Sequence, residues 1–174
     1  SSHIGCYEVA GYSLISKTKR FNALVFGGEK PTVMAGRQEV LGHHNIRMIP
    51  VKEDMSHLFL VNEALDNNEI MSMPADRIIG SAKFVTSVFM DAEARFPAGP
   101  LSVATMKGQD VLAVNVMKMS AKHYKVYVAR LSYDKQAPRL QQMQQLADSY
   151  VKELERRVRQ YPLQWFNFYD FWSR

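Results

Sequence analysis

Residues Phe21–Val51 run FNALVF-GGEK-PTVMAGRQEVL-GHHN-IRMIPV, and the order of these pieces decides the fold. Phe21–Phe26 is the short apolar run of a buried strand, stopped by Gly27-Gly28. Pro31–Leu41 reads as a helix, with proline at a position where the first turn needs no N–H. Ile46–Val51 is a second apolar strand. Strand, helix, strand in that order is the unit from which a parallel sheet is built.

The alternation continues outward. Glu53–Leu65 predicts an amphipathic helix through Met55, Leu58, Phe59, Asn62 and Leu65. Glu69–Met73 is a strand ending at Pro74-Ala75-Asp76. Lys83–Met90 has strand composition, and Gly99-Pro100 opens a helix to about Lys107. Asp110–Met119 and Lys122–Tyr133 read as a strand pair around Ser120-Ala121. Pro138–Arg159 is the longest helix, striped by Leu140, Met143, Leu146-Ala147, Tyr150-Val151, Leu154 and Val158. Upstream, Cys6–Ser16 is a helix candidate. The pattern predicts a mixed, mostly parallel α/β sheet flanked by helices, antiparallel late in the chain, in a single domain over residues 1–174.

The composition agrees. The chain has 174 residues, 47% hydrophobic and 22% charged, which suits one globular domain and excludes collagen-like, coiled-coil and disordered proteins. Its formal charge of +5 is a moderate basic excess. A single cysteine excludes an internal disulfide framework and a cysteine-built zinc cage. No apolar run reaches the roughly 18–20 residues that cross a bilayer. The chain opens at Ser1-Ser2-His3 and reads at once like the middle of an enzyme, so it is expected to be the C-terminal portion of a longer domain. On that reading the 174 residues alone are expected to be inactive or poorly folded.

The chemistry is concentrated in Ser1–Ser16, SSHIGCYEVAGYSLIS. His3 and Glu8 have the spacing H-x4-E. On one continuous helix five positions are about 140° apart, so the two would not share a face. They meet if His3 sits in a loop and Glu8 in the first turns of the following helix, with Gly5 permitting the tight entry. The carboxylate then holds one imidazole nitrogen while the other takes a proton from a hydroxyl: general-base catalysis with an orienting acid. A structural histidine is the plain alternative.

Further along, Arg37 stands in Ala35-Gly36-Arg37 and Asp76 in Met73-Pro74-Ala75-Asp76-Arg77. Phe89-Met90-Asp91, Phe96-Pro97-Ala98-Gly99-Pro100 and Tyr161-Pro162-Leu163-Gln164-Trp165-Phe166-Asn167-Phe168 follow in order. Together with the H-x4-E pair these blocks resemble the lysophospholipid acyltransferase superfamily, most closely the bacterial lipid A late acyltransferases, over almost the whole chain. The resemblance implies a fold like that of glycerol-3-phosphate acyltransferase, with His3 and Glu8 catalytic and Arg37, Asp76 and Arg77 binding substrate. It implies transfer of a fatty acyl chain from an acyl carrier protein or coenzyme A thioester to a hydroxyl of a lipid or glycolipid acceptor. It also implies a membrane surface as partner, at the cytoplasmic face of a bacterial inner membrane, and no metal or cofactor. Arg37 suits a phosphate or other anion through bidentate, permanently charged contacts, and Asp76 suits orienting a neighbouring basic group or the acceptor. As plain structure, Arg37 is an ion-paired helix residue and Asp76 a turn or helix cap. The sequence departs from the family's pattern at Cys6-Tyr7, at Asp91 and in the aromatic ending Asn167–Trp172. That aromatic tail either caps the apolar sheet or docks at a membrane interface.

Other chemistries find less support. Cys6, three residues from His3, reads as a small buried side chain rather than a nucleophile. His43-His44, His57 and His123 lack a metal-ligand spacing and read as exposed or structural. Gly11-Tyr12-Ser13 lacks the closing glycine of a nucleophile elbow, and no Walker A or G-x-G-x-x-G run occurs. The alternative of another class is a non-catalytic basic module for anionic lipid or nucleic acid, since residues 118–174 hold 11 basic against 5 acidic side chains. The acids interleaved with bases in Lys152–Arg157 look instead like a solvated helix face, so nucleic acid is not an expected partner.

Overall fold

The FNALV run forms the middle strand of a parallel sheet. Strand β1 (Phe21–Val25) lies between β2 (Ile46–Pro50) and β3 (Ile70–Ser72), with Phe21 opposite both Ile46 and Ile70. Helix α1 (His57–Asp66) joins β2 to β3. These elements belong to one compact unit, Glu8–Met73, and the other is Ser1–Tyr7 with Pro74–Arg174. This is a computed structural model, and it describes residues 1–6, 9, 18–25, 46–78, 83–168 and 170–172. The predicted helix at Pro31–Leu41, nearly all of the one at Cys6–Ser16, and His43-His44 lie outside the described residues.

In the unit Glu8–Met73, Asn22 is fully buried on β1 and its amide donates to Glu69 Oε2 at 2.8 Å and to the Ile70 carbonyl at 3.2 Å. Helix α1 starts later than the sequence predicted. Asp54 accepts the Ser56 N–H at 2.9 Å and Met55 adopts φ 59°, so a turn precedes the helix. The buried face is correspondingly different. His57, Val61 and Ala64 face inward, while Leu58 and Phe59 of the predicted stripe are exposed. His57 is structural, accepting the Lys52 N–H on Nδ1 at 3.2 Å.

In the other unit, β4 (Phe84–Phe89) and β5 (Ala92–Pro97) make an antiparallel hairpin, followed directly by α2 (Ala98–Met106). Strands β6 (Val111–Lys118) and β7 (Tyr124–Leu131) make a second hairpin, and α3 (Arg139–Gln160) packs against both sheets. The mixed α/β fold thus has its parallel strands early and its antiparallel strands late, the order the sequence implied. Strand β5 went unread because Ala92–Pro97 carries two charges and a proline at its end.

The α3 stripe buries Leu146, Ala147, Tyr150, Val151, Leu154 and Val158 against Ile4, Phe89, Phe96, Ala113 and Met117. Each large apolar side chain buried in this way contributes about 2 kcal/mol. Leu140, at the start of the predicted stripe, is exposed. Two charged residues share the buried side: Arg157 Nε donates to Glu153 Oε1 at 2.7 Å, and its guanidinium lies 3.8 Å from the centre of the Tyr127 ring. Part of the aromatic tail packs inward. Trp165, Phe171 and Trp172 surround Phe89, and the Trp172 indole donates to the Phe89 carbonyl at 3.1 Å. Among the described residues no helix is long and apolar enough to cross a membrane.

The β4–β5 turn is two residues long, with Met90 at φ 55° and Asp91 at φ 67°. Such a turn matches the twist of a hairpin but strains any residue that carries a β-carbon. Asp91→Gly is therefore expected to stabilise the chain by roughly 0.5–1 kcal/mol. The exposed Asp91–Arg159 ion pair that it removes, at 3.2 Å, offsets only part of that. Urea titration checks this as a higher midpoint at unchanged slope.

Candidate active site

The segment carrying His3 is held on both sides. Gly5 bridges Val116 of β6, and Ile4 bridges Trp165 just after the 3-10 turn Pro162–Gln164. The Gly5 N–H donates to the Gln164 carbonyl and the Cys6 N–H to the Val116 carbonyl, each at 2.7 Å. The His3 carbonyl accepts the Phe166 N–H at 3.2 Å. Ile4 is wholly buried in the core, and Ser2 donates its hydroxyl to the buried Asn115 Oδ1 at 2.7 Å. His3 thus projects from a rigid, sheet-like support, as a positioned catalytic group requires.

Gly5 makes the support possible. Its φ is +68°, and a β-carbon there would lie 2.1 Å from the Val116 carbonyl oxygen. Only glycine allows the chain to run this close to β6.

Among the described residues, the carboxylate at His3 is Asp76. Its Oδ2 accepts the His3 backbone N–H at 2.6 Å, and its Oδ1 lies 2.9 Å from His3 Nδ1. One side chain therefore fixes both the backbone and the ring of the same residue. A carboxylate only accepts, so Nδ1 carries the hydrogen and the lone pair of the neutral ring is on Nε2. Asp76 is 1% exposed, whereas the His3 side chain keeps 23% of its surface in contact with solvent. A buried acid behind a partly exposed imidazole is the arrangement that stabilises an imidazolium when the ring takes up a proton. Tyr150 closes the buried side, donating its hydroxyl to the Ser1 carbonyl at 3.2 Å. Burial, and secondarily the negative charge of Asp76, pushes this phenol well above its ordinary value. It stays a neutral donor.

The residues singled out from sequence are distributed as follows. His3 and Asp76 come together, although 73 positions separate them. Spacing assigned the orienting task to Glu8, which, like Arg37, lies outside the described residues. Arg77 donates Nη2 to the Phe166 carbonyl and so ties the Asp76 segment to the tail that also holds His3. Sequence reasoning missed Ser2 and Asn115, and no motif marks either of them. Cys6 is half-buried. His123 Nδ1 lies 3.0 Å from Ser120 Oγ in the β6–β7 turn. Among the described residues no three His, Cys, Asp or Glu side chains converge as metal ligands.

No curated protein sequence matches the chain. The family described as bacterial lipid A biosynthesis acyltransferase matches it over residues 2–174, a stretch that contains His3, Asp76 and every segment that holds them. An imidazole held by a buried carboxylate suits the activation of a hydroxyl for acyl transfer, and the chain belongs to that family of acyltransferases.

Proposed function

We propose that the protein transfers a fatty acyl chain from a thioester, carried by acyl carrier protein or coenzyme A, to a hydroxyl of a lipid or glycolipid acceptor. The observation that carries this reading is the two-point hold of Asp76 on His3. His3 Nε2 takes the proton of the acceptor hydroxyl as the oxygen attacks the thioester carbonyl. A C–O bond forms, the C–S bond breaks, and the imidazolium returns its proton to the departing sulfur. Asp76 keeps Nε2 as the basic nitrogen and stabilises the imidazolium through Nδ1. Glu8 is the second acid of the proposal, its charge favouring the same imidazolium, and Arg37 takes an anionic group of the substrate. The place of action in this reading is the cytoplasmic face of a bacterial inner membrane.

Mass spectrometry of products tests the reading. The protein in its native membranes is incubated with an acyl carrier protein thioester and a hydroxylated glycolipid acceptor. The expected product is heavier than the acceptor by one fatty acid less water, and mild alkali cleaves it as an ester. An alkali-resistant product would mean transfer to nitrogen, and release of free fatty acid alone would mean hydrolysis. Either result would overturn the hydroxyl assignment.

A further inference from the structure

The segments that hold His3 also carry apolar side chains that the core does not use. Leu163 is 94% exposed and Phe168 89%, with Phe166 between them nearly half exposed. Phe166 is the residue whose N–H meets the His3 carbonyl, and Leu163 adjoins Gln164, whose carbonyl accepts the Gly5 N–H. Gln164 further joins this loop to the end of β6, accepting the Lys118 N–H and donating to the Lys118 carbonyl, both at 2.9 Å. Just beyond Lys118, Met119 and Tyr124 are also exposed. One stitched-together edge of the unit Ser1–Tyr7 with Pro74–Arg174 thus bears an apolar rim beside His3.

Its charge is one-sided. Residues 111–133 contain Lys118, Lys122, Lys125 and Arg130 and no acid, and residues 160–168 contain no charged side chain at all. Arg130 is compensated by Asp110 at 3.2 Å on the far end of β6–β7, whereas Lys118 and Lys122 flank the rim itself. Nearly fully exposed Leu and Phe are unfavourable in water, and lysines beside them are attracted to negative charge. Apolar side chains entering the acyl boundary while basic ones meet anionic headgroups is how a protein seats itself on a bilayer surface.

We propose that the loop Pro162–Phe168 and the β6–β7 turn form a docking rim for an anionic lipid bilayer, which brings His3 to the leaflet that supplies its acceptor. Only this last consequence rests on the acyl-transfer reading; the docking itself requires no turnover. The exposure of Phe168 and Leu163 identifies them as the inserted residues, with Lys118 and Lys122 at headgroup level.

Flotation of the full chain with vesicles tests the proposal. The chain is expected to float with phosphatidylglycerol–phosphatidylethanolamine vesicles and to remain below with pure phosphatidylcholine, and added salt should weaken the binding. Lys118→Gln with Lys122→Gln should weaken it about 30-fold, at roughly one kcal/mol per basic residue near an anionic surface. Leu163→Ser with Phe168→Ser should weaken it at least about tenfold, with thermal melting unchanged because both sites are exposed. A Phe168→Trp variant should gain an emission that shifts to the blue on the vesicles and is quenched by brominated acyl chains. Equal flotation with neutral vesicles, binding unaffected by both double variants, or an added emission of the Phe168→Trp variant that stays unquenched on bound vesicles would overturn the proposal. So would binding only to an acidic carrier protein, or a dimer of this chain dissolved by the same substitutions. Loss of flotation with acyl transfer to a detergent-dispersed acceptor intact would remove the rim and leave the acyltransferase reading standing. Flotation by a chain that transfers no acyl group would do the reverse.

Discussion

Replacing Asp76 with asparagine is expected to lower kcat by about 10³–10⁴-fold with KM nearly unchanged. The amide fills the same space and can still accept the His3 N–H that Oδ2 now takes at 2.6 Å. What it loses is a fixed acceptor for Nδ1. An amide can turn its NH2 toward the ring, and the proton then moves to Nε2, the nitrogen that takes the acceptor's proton in the proposed mechanism. The imidazolium also loses the buried negative charge behind it. Steady-state kinetics across a range of acceptor concentrations separate the two constants, and thermal melting confirms that the fold survives. A fall of less than tenfold in kcat would show that Asp76 does not govern the ring.

Gly5→Ala is expected to cost roughly 3 kcal/mol or more of stability and to lower Tm by roughly 10 °C or more. Two penalties act at one position. The φ of +68° is costly for a residue with a β-carbon, and that carbon would meet the Val116 carbonyl oxygen at 2.1 Å. A backbone oxygen in a paired strand cannot step aside as a flexible side chain can. The His3 segment must then leave β6, breaking the Cys6–Val116 hydrogen bond and displacing His3, two residues away. Activity should fall with stability, and calorimetry alongside turnover checks both. A variant that melts with the wild type would contradict the close approach of the segment to β6.

The contrast between these two residues shows what was legible in the sequence. Gly5 stood between His3 and Glu8 and announced a tight passage. Strands β1, β2, β6 and β7 and helix α3 were legible within a few residues because each buries a continuous or periodic apolar set. Helix α1 was read with the wrong inward face, since His57, Val61 and Ala64 are buried while Met55, Leu58 and Phe59 are exposed, and its start is delayed by a local contact, the Asp54 carboxylate on the Ser56 N–H. Strand β5 was invisible because its pairing with β4 depends on the turn at Met90-Asp91, where neither residue is the usual glycine or asparagine. The partner of His3 was the least legible feature. Local spacing pointed to Glu8, five residues away and outside the described residues, while chain topology brings a further acid, Asp76, to His3 from 73 residues away. Asp76 was visible as a residue suited to orienting a basic group, but only the fold names that group. The aromatic tail divides in the same manner: Trp165, Phe171 and Trp172 pack around Phe89, and Leu163 and Phe168 face outward.

The most direct test of His3 as the general base is acceptor-dependent thiol release from acyl carrier protein thioesters by the protein in its native membranes, comparing wild type with His3→Ala. The His3 side chain keeps part of its surface in solvent and the segment is held by backbone hydrogen bonds, so the variant should fold. Acceptor-dependent release is expected to fall by at least about 10³-fold while melting is unchanged. Equal release by both proteins would contradict the mechanism, removing His3 and the carboxylate behind it from the chemistry.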